Sequence, residues 1–145
     1  MAQQHKAMNQ LEIQAFLQAP RFVIVGTNRR DGPPQLTPVW YLHQRGQIFL
    51  SMDVASAKYR NLKRDPRIAL CIAGDHPDAR SVMMYGTVEF VPGDEEAARD
   101  INWKITRRYY DSDAETREYL DSVAGNGDSA VVVVTPDKVI AQDYN

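Results

Sequence analysis

Ser51, Ser56 and Lys58 are the residues of this chain whose types and spacing most readily do chemistry. They lie within Ile48 to Asn61, IFLSMDVASAKYRN, where an apolar run ends at Ser51 and a helix-forming run carrying Lys58 begins. A strand that delivers hydroxyls and freed backbone N–H groups to a helix N-terminus, with a lysine in the first turn, suits an anion such as a phosphate. The same pattern also fits a capped helix with solvated basic residues, because serine favours helix starts. Local pattern alone leaves both readings open.

A second candidate stretch lies just upstream. Gln35 to Trp40, QLTPVW, offers the hydroxyl of Thr37, a backbone stiffened by Pro38, and the flat apolar surface of Trp40 and Tyr41, which suits a planar ring. Taken alone, such a segment is more often a core and edge-strand arrangement, but it should pair beside the Ser51 strand. Other chemistry has little support. His5 falls in a terminal segment, His43 in a hairpin and His76 in a polar loop, so no triad or metal constellation forms. Cys71, the only cysteine, sits in the apolar run RIALCIA and reads as a buried, inert thiol. Asp94, Glu95 and Glu96 stand at a helix start, where dipole compensation accounts for them.

The bulk numbers set the frame for these residues. With 145 residues the chain reads as one domain, and 43% hydrophobic with 25% charged residues is ordinary for a soluble protein. A net charge of -2 argues against a surface devoted to nucleic acid, which needs a dominant basic field. No window has the apolar length of a membrane span and MAQQHKAMNQ lacks a signal-peptide core, so the cytoplasm is the expected compartment.

The elements that must position the candidates follow from punctuation and periodicity. Asn9 with Glu12 forms a capping box for a short helix over about 9–19, which Pro20 closes. Arg21 to Thr27 is a buried strand, Asp31-Gly32 turns the chain, and Leu36 to Leu42 returns. Pro33, Pro34 and Pro38 make that returning strand an edge, or a bend where a ligand or another subunit meets it. Gln44-Arg45-Gly46 leads into the strand Gln47 to Met52, then a helix over Lys58 to Arg64 that Asp65-Pro66 stops. Strands are expected over Arg67 to Ala73 and Arg80 to Val91, with Gly86 as a bulge. Helices over Glu95 to Tyr110 and Ala114 to Val123 follow, then two strands, Ala130 to Thr135 and Val139 to Gln142, parted by Pro136-Asp137. Short turn-bounded strands with few helices favour a compact antiparallel barrel over a doubly wound sheet.

In this order the segments resemble a known family, the split β-barrel flavin and deazaflavin reductases related to pyridoxamine 5'-phosphate oxidase. The resemblance rests on Phe22 to Thr27, Arg30-Asp31-Gly32, Leu36-Thr37-Pro38-Val39-Trp40, Ser51, Ser56-Ala57-Lys58, Arg60-Asn61-Leu62, Arg64-Asp65-Pro66-Arg67 and Ile68 to Ile72. It implies an α+β, mainly β, split barrel over about 21–145, working as a homodimer with cofactor between the subunits. By the same resemblance Ser51, Ser56 and Lys58 would hold the cofactor phosphate, Asn61 would support that contact, and Gln35, Thr37, Pro38 and Val39 would line the isoalloxazine or deazaflavin ring. The oxidase branch has an arginine directly before the matching lysine, and here that position is Ala57. SerAlaLysTyrArgAsnLeu looks closer to the branch that uses coenzyme F420, with FMN the alternative. Hydride transfer to a small conjugated substrate would then be the cofactor's chemistry, and no protein nucleophile is required. A different class is also compatible: a flavin carrier or haem-binding protein without turnover.

Overall fold

The computed structural model describes residues 6–145, so the reading of His5 lies outside the described residues. The elements run β1 (Lys6–Ala7), α1 (Gln10–Gln18), β2 (Val23–Thr27), β3 (Gln35–Val39), β4 (Leu42–Gln44), β5 (Gln47–Asp53), α2 (Ala57–Arg64), β6 (Arg67–Ala73), β7 (Arg80–Pro92), α3 (Glu96–Arg107), α4 (Asp113–Val123) and β8 (Ser129–Asp143). The capping box that starts α1 is present, Asn9 accepting from the Glu12 N–H at 2.8 Å and Glu12 accepting from the Asn9 N–H at 3.1 Å.

One antiparallel sheet carries the fold, in the order β3-β2-β6-β7-β8-β5-β4, with β1 added to the far end of β8. Its two outer strands, β3 and β4, are consecutive in the chain and separated only by Trp40 and Tyr41. Three Cα steps of about 3.8 Å each therefore tie Val39 to Leu42, so the sheet's opposite edges lie within about 11 Å of one another. A sheet tethered in this way must roll up. The result is a split barrel, α+β and mainly β, closed by the chain itself and not by hydrogen bonds between β3 and β4.

Alternation then decides what fills the barrel. Val23, Val25, Ile48, Leu50, Leu70, Ile72, Val82, Val132 and Val134 point inward and are all but inaccessible to water. Phe16 and Leu17 of α1 and Leu62 of α2 plug the ends of this core. The opposite parity leaves Ile24 of β2, Leu36 and Pro38 of β3 and Tyr85 of β7 on an outer face that stays exposed.

Three elements differ from what the sequence suggests. The expected single strand from Leu36 to Leu42 is two strands, because Tyr41 leaves the sheet and turns into the core. The two strands expected around Pro136-Asp137 are one, β8, which runs through the proline where a bulge relieves it. That bulge, a register shift between Tyr85 and Gly86, sets Pro136 opposite Gly86, so the proline's missing donor coincides with a break in the ladder. Residues Lys6 and Ala7 pair with Gln142 and Asp143 as a strand that nothing in the local sequence announces.

Gly86 is fixed by space. A Cβ placed there would lie 2.2 Å from the Thr135 carbonyl oxygen, a backbone atom that cannot swing away. Gly86→Ala is expected to cost at least about 3 kcal/mol, the range of severe overpacking, measured as a fall in the denaturant midpoint.

Candidate functional site

The junction between β3 and β4 is also where the helices are fastened. Tyr41 is fully buried, and its hydroxyl is shared between the carbonyls of Leu17 at 3.0 Å and Ala19 at 3.2 Å. Arg108, just past α3, donates to the Tyr41 carbonyl and to the carbonyls of Leu17, Gln18 and Ala19 at 3.0–3.1 Å. These are the acceptors that the C-terminus of α1 leaves open, and α1 has no basic residue of its own in its last turn. Tyr109 completes the knot, donating its hydroxyl to the Arg21 carbonyl at 2.6 Å and accepting from the Tyr41 N–H at 3.1 Å. Burial pushes the phenols of Tyr41 and Tyr109 above their ordinary range, so both hold their protons as donors.

Anchored there, Trp40 faces outward into an aromatic cluster. It stacks on Tyr109 with centroids 4.6 Å apart and planes 9° apart, and it meets Tyr119 of α4 at 5.3 Å. The space beside it is a cleft of about 820 Å3 whose walls are the end of β3 with Pro38, Val39 and Trp40, the end of β5 with Ser51 and Met52, α3, and α4 with the loop to β8. That volume is within the range of small-molecule and cofactor sites.

The residues singled out in the sequence divide among three surroundings. Ser51, Pro38 and Val39 share the cleft just described. Gln35 and Asn61 line a second, shallower cleft of about 510 Å3 with Arg29, Arg30 and Arg64. Asn61 is buried there and donates to Thr27 Oγ1 at 3.1 Å and Gln35 Oε1 at 3.2 Å, which makes it the brace between α2 and the β2–β3 pair. Thr37 stands on the same face of β3 as Gln35 and Val39, and its buried hydroxyl has no hydrogen-bond partner among the described residues. Ser56 is the N-cap of α2, donating to the Asp53 carbonyl at 2.7 Å and accepting from the Tyr59 N–H at 3.3 Å. Lys58 is half-buried in the first turn of α2 and forms no ion pair among the described residues.

A planar ring fits the first cleft, since Pro38, Val39 and Trp40 present a stiff apolar wall. An anion fits less completely, because Asp53 already sits against the approach to α2, accepting from the Ala55 N–H at 2.8 Å. Lys58 and Ser51 are the groups left to offset it. Among the described residues no group of histidine, cysteine and acidic side chains could hold a metal. His43, whose burial and proximity to Arg108 lower its pKa, lies apart in a third cavity of about 620 Å3 between α1 and β8.

Sequence reasoning missed the α3 and α4 wall. Arg99 and Asn102 of α3 and Tyr119 of α4 all line the first cleft, and the only signal for them was amphipathic spacing, which marks a helix's buried side but not what it faces. Arg108 was missed for the same reason, since its carbonyl partners are about 90 positions away in sequence.

Comparison with known proteins agrees with this architecture. A crystal structure of a conserved hypothetical protein from Mycobacterium tuberculosis is 26% identical, covers 100% of this chain and 91% of its own, and superposes with a TM-score of 0.79. An F420 reductase is 24% identical over 87% of this chain and 94% of its own, with a TM-score of 0.66. The haem storage protein HutZ from Vibrio cholerae is 15% identical over 94% of this chain and 96% of its own, with a TM-score of 0.75. At the identities of the last two, the likeness is one of fold. The sequence profile of pyridoxamine 5'-phosphate oxidase matches residues 10–143, nearly the whole chain. The chain therefore belongs to the pyridoxamine 5'-phosphate oxidase family.

Proposed function

We propose that this protein is a homodimeric oxidoreductase that binds a phosphorylated flavin-type cofactor, F420 in preference to FMN, and reduces a small conjugated organic substrate in the cytoplasm. The observation that carries the reading is the meeting of Ser51 with Pro38, Val39 and Trp40 in one cleft of cofactor size. Pro38 and Val39 would support the ring, Thr37 would direct its unpartnered hydroxyl to a ring heteroatom, and Gln35, braced by Asn61, would extend that wall. Ser51, Ser56 and Lys58 would hold the phosphate, with Lys58 supplying the charge that Asp53 opposes.

A bound reduced deazaflavin supplies a hydride, and this chain supplies binding, orientation and exclusion of water. The preference for F420 follows from Ala57. An FMN phosphate held as in the oxidase branch would call for an arginine there, and a methyl group offers neither its charge nor its paired donors.

The dimer is inferred from the outer face of the sheet. Phe22 is 59% and Leu36 66% exposed, and with Ile24, Pro38 and Tyr85 they form an apolar surface running from the rim of the cleft across β3, β2, β6 and β7, with Ala69 and Cys71 of β6 between Ile24 and Tyr85. A second copy seated on this face would bury it and would wall the side of the cleft that one chain leaves open. Leu36→Asp should leave the fold intact, because the side chain is exposed. It should convert a dimer to a monomer in sedimentation velocity and weaken cofactor binding with it. A dimer that survives the change excludes this face.

Separate titrations with FMN and F420 test the cofactor assignment. F420 is expected to bind at micromolar concentration or below and more tightly than FMN. Lys58→Ala should weaken it by about 1.5–3 kcal/mol, the range of a charge-assisted hydrogen bond. Ser56→Asp keeps the capping acceptor for the Tyr59 N–H and loses only the bond to the Asp53 carbonyl, so the thermal midpoint should fall by a few degrees at most while the added charge weakens binding. If neither cofactor binds, the oxidoreductase reading is wrong. If Lys58→Ala and Ser56→Asp bind like the wild type, the phosphate assignment is wrong.

A further inference from the structure

The α3 wall of the cleft holds a group that the cofactor assignment does not use. Asn102 lines the cleft, and its Oδ1 is buried with no hydrogen-bond partner among the described residues. A buried amide oxygen without a donor is costly, and native structures retain few of them. Asn102 stands one turn after Arg99 and one turn before Thr106, all three on the side of α3 that faces Trp40, Val39 and Ser51.

The charges around it narrow what could satisfy it. Among the described residues Arg99 is the only cation lining the cleft, and its Nη1 is already committed to the Asp94 carbonyl at 2.6 Å. Asp53 and Asp128 line the same cleft, so apart from Lys58, which the cofactor phosphate would occupy, no positive charge is left over to draw an anionic substrate. Trp40, at the end of β3, lines the cleft from the other wall, and Tyr119 of α4 lies against its ring.

From this combination we infer that Asn102 is a specificity-determining residue that accepts a hydrogen bond from a ring N–H or O–H of a neutral, planar heteroaromatic substrate seated between α3 and Trp40. The inference rests on the oxidoreductase reading for the word substrate, and it deepens that reading by naming the class. A ring that brings a donor satisfies an oxygen that the free protein leaves dry and unpaired, and a ring without one gains nothing there, so the donor-bearing ring is preferred.

Indole and 1-methylindole are a matched pair of probes, since indole donates one N–H and accepts nothing while the methylated ring offers no donor. Titration of the full-length protein, followed by the backbone amide signals of Ser51, Asn126 and Gly127 at the cleft, is expected to show indole binding about tenfold more tightly than 1-methylindole, or more. Asn102→Leu should abolish that preference, and Asn102→Asp, which keeps an acceptor and loses the donor, should preserve it. Because leucine removes an unpaired buried acceptor, the Asn102→Leu thermal midpoint should equal or exceed that of the wild type. Equal affinity of the two rings in the wild type, persistence of the preference in Asn102→Leu, or the absence of any shift at the cleft amides would overturn the inference. A lower midpoint in Asn102→Leu would do so too, since it would mark a structural asparagine. The readout does not involve Lys58 or added cofactor. Failure to bind F420 and FMN with the indole preference intact would therefore remove the oxidoreductase and leave the recognition site.

Discussion

The guanidinium of Arg108 is the point on which the rest of the structure depends. A rolled sheet whose outer strands are joined by two residues needs something to hold those residues, and Trp40 and Tyr41 are held through Arg108 and Tyr109. The same guanidinium satisfies three carbonyls at the end of α1, where the helix dipole is negative and where Arg21 donates to the neighbouring Phe16 carbonyl. One side chain thus joins α1, the seam of the barrel and the end of α3. Charged donors to buried carbonyls are among the stronger hydrogen bonds, and here they also fix geometry. Arg108 lies against the Tyr41 ring with its carbon 4.6 Å from the centroid, so desolvation strengthens a contact that already has direction.

That fastening turns a seam into a site. With Tyr41 drawn inward, Trp40 stacks on Tyr109 and lines the cleft of about 820 Å3. The wall built from β3 and β5 is rigid because its strands belong to the sheet, whereas the opposite wall rests on helices tied down mainly through Arg108 and the aromatic cluster. Asn102 carries a buried oxygen at this space with no hydrogen-bond partner among the described residues. Unsatisfied polar groups at a concave surface are the form in which stability is given up for recognition. Ser51 lines this space, and Ser56 caps α2 beside it in the chain.

Much of this was legible in the sequence because it is local. The capping box of Asn9 and Glu12, the strand Arg67–Ala73, the helix ended by Asp65-Pro66 and the bulge at Gly86 are each written in a few adjacent residues. Pro38 marked β3 as an edge, and β3 does pair with β2 alone. The break at Trp40 and Tyr41 was not legible, because Tyr41 leaves the sheet to reach carbonyls of α1 and is held there by an arginine 67 positions away. Pro136 suggested an interruption by itself, and only its pairing opposite Gly86 shows why β8 continues. Of the candidate site, the β3 and β5 contributions were visible, since they lie in one stretch. Arg99 and Asn102 were not, since a helix periodicity states that a face is covered without naming the cavity beside it.

The central claim is that the cleft beside Trp40 takes the ring of a flavin-type cofactor. A crystal structure of the protein with bound F420 tests it most directly. The deazaflavin ring is expected against Pro38 and Val39, with its phosphate toward Ser51 and Lys58 and with a second copy of the chain covering the outer sheet face. A ring bound instead in the cavity between α1 and β8 beside His43, or a phosphate remote from α2, would contradict it.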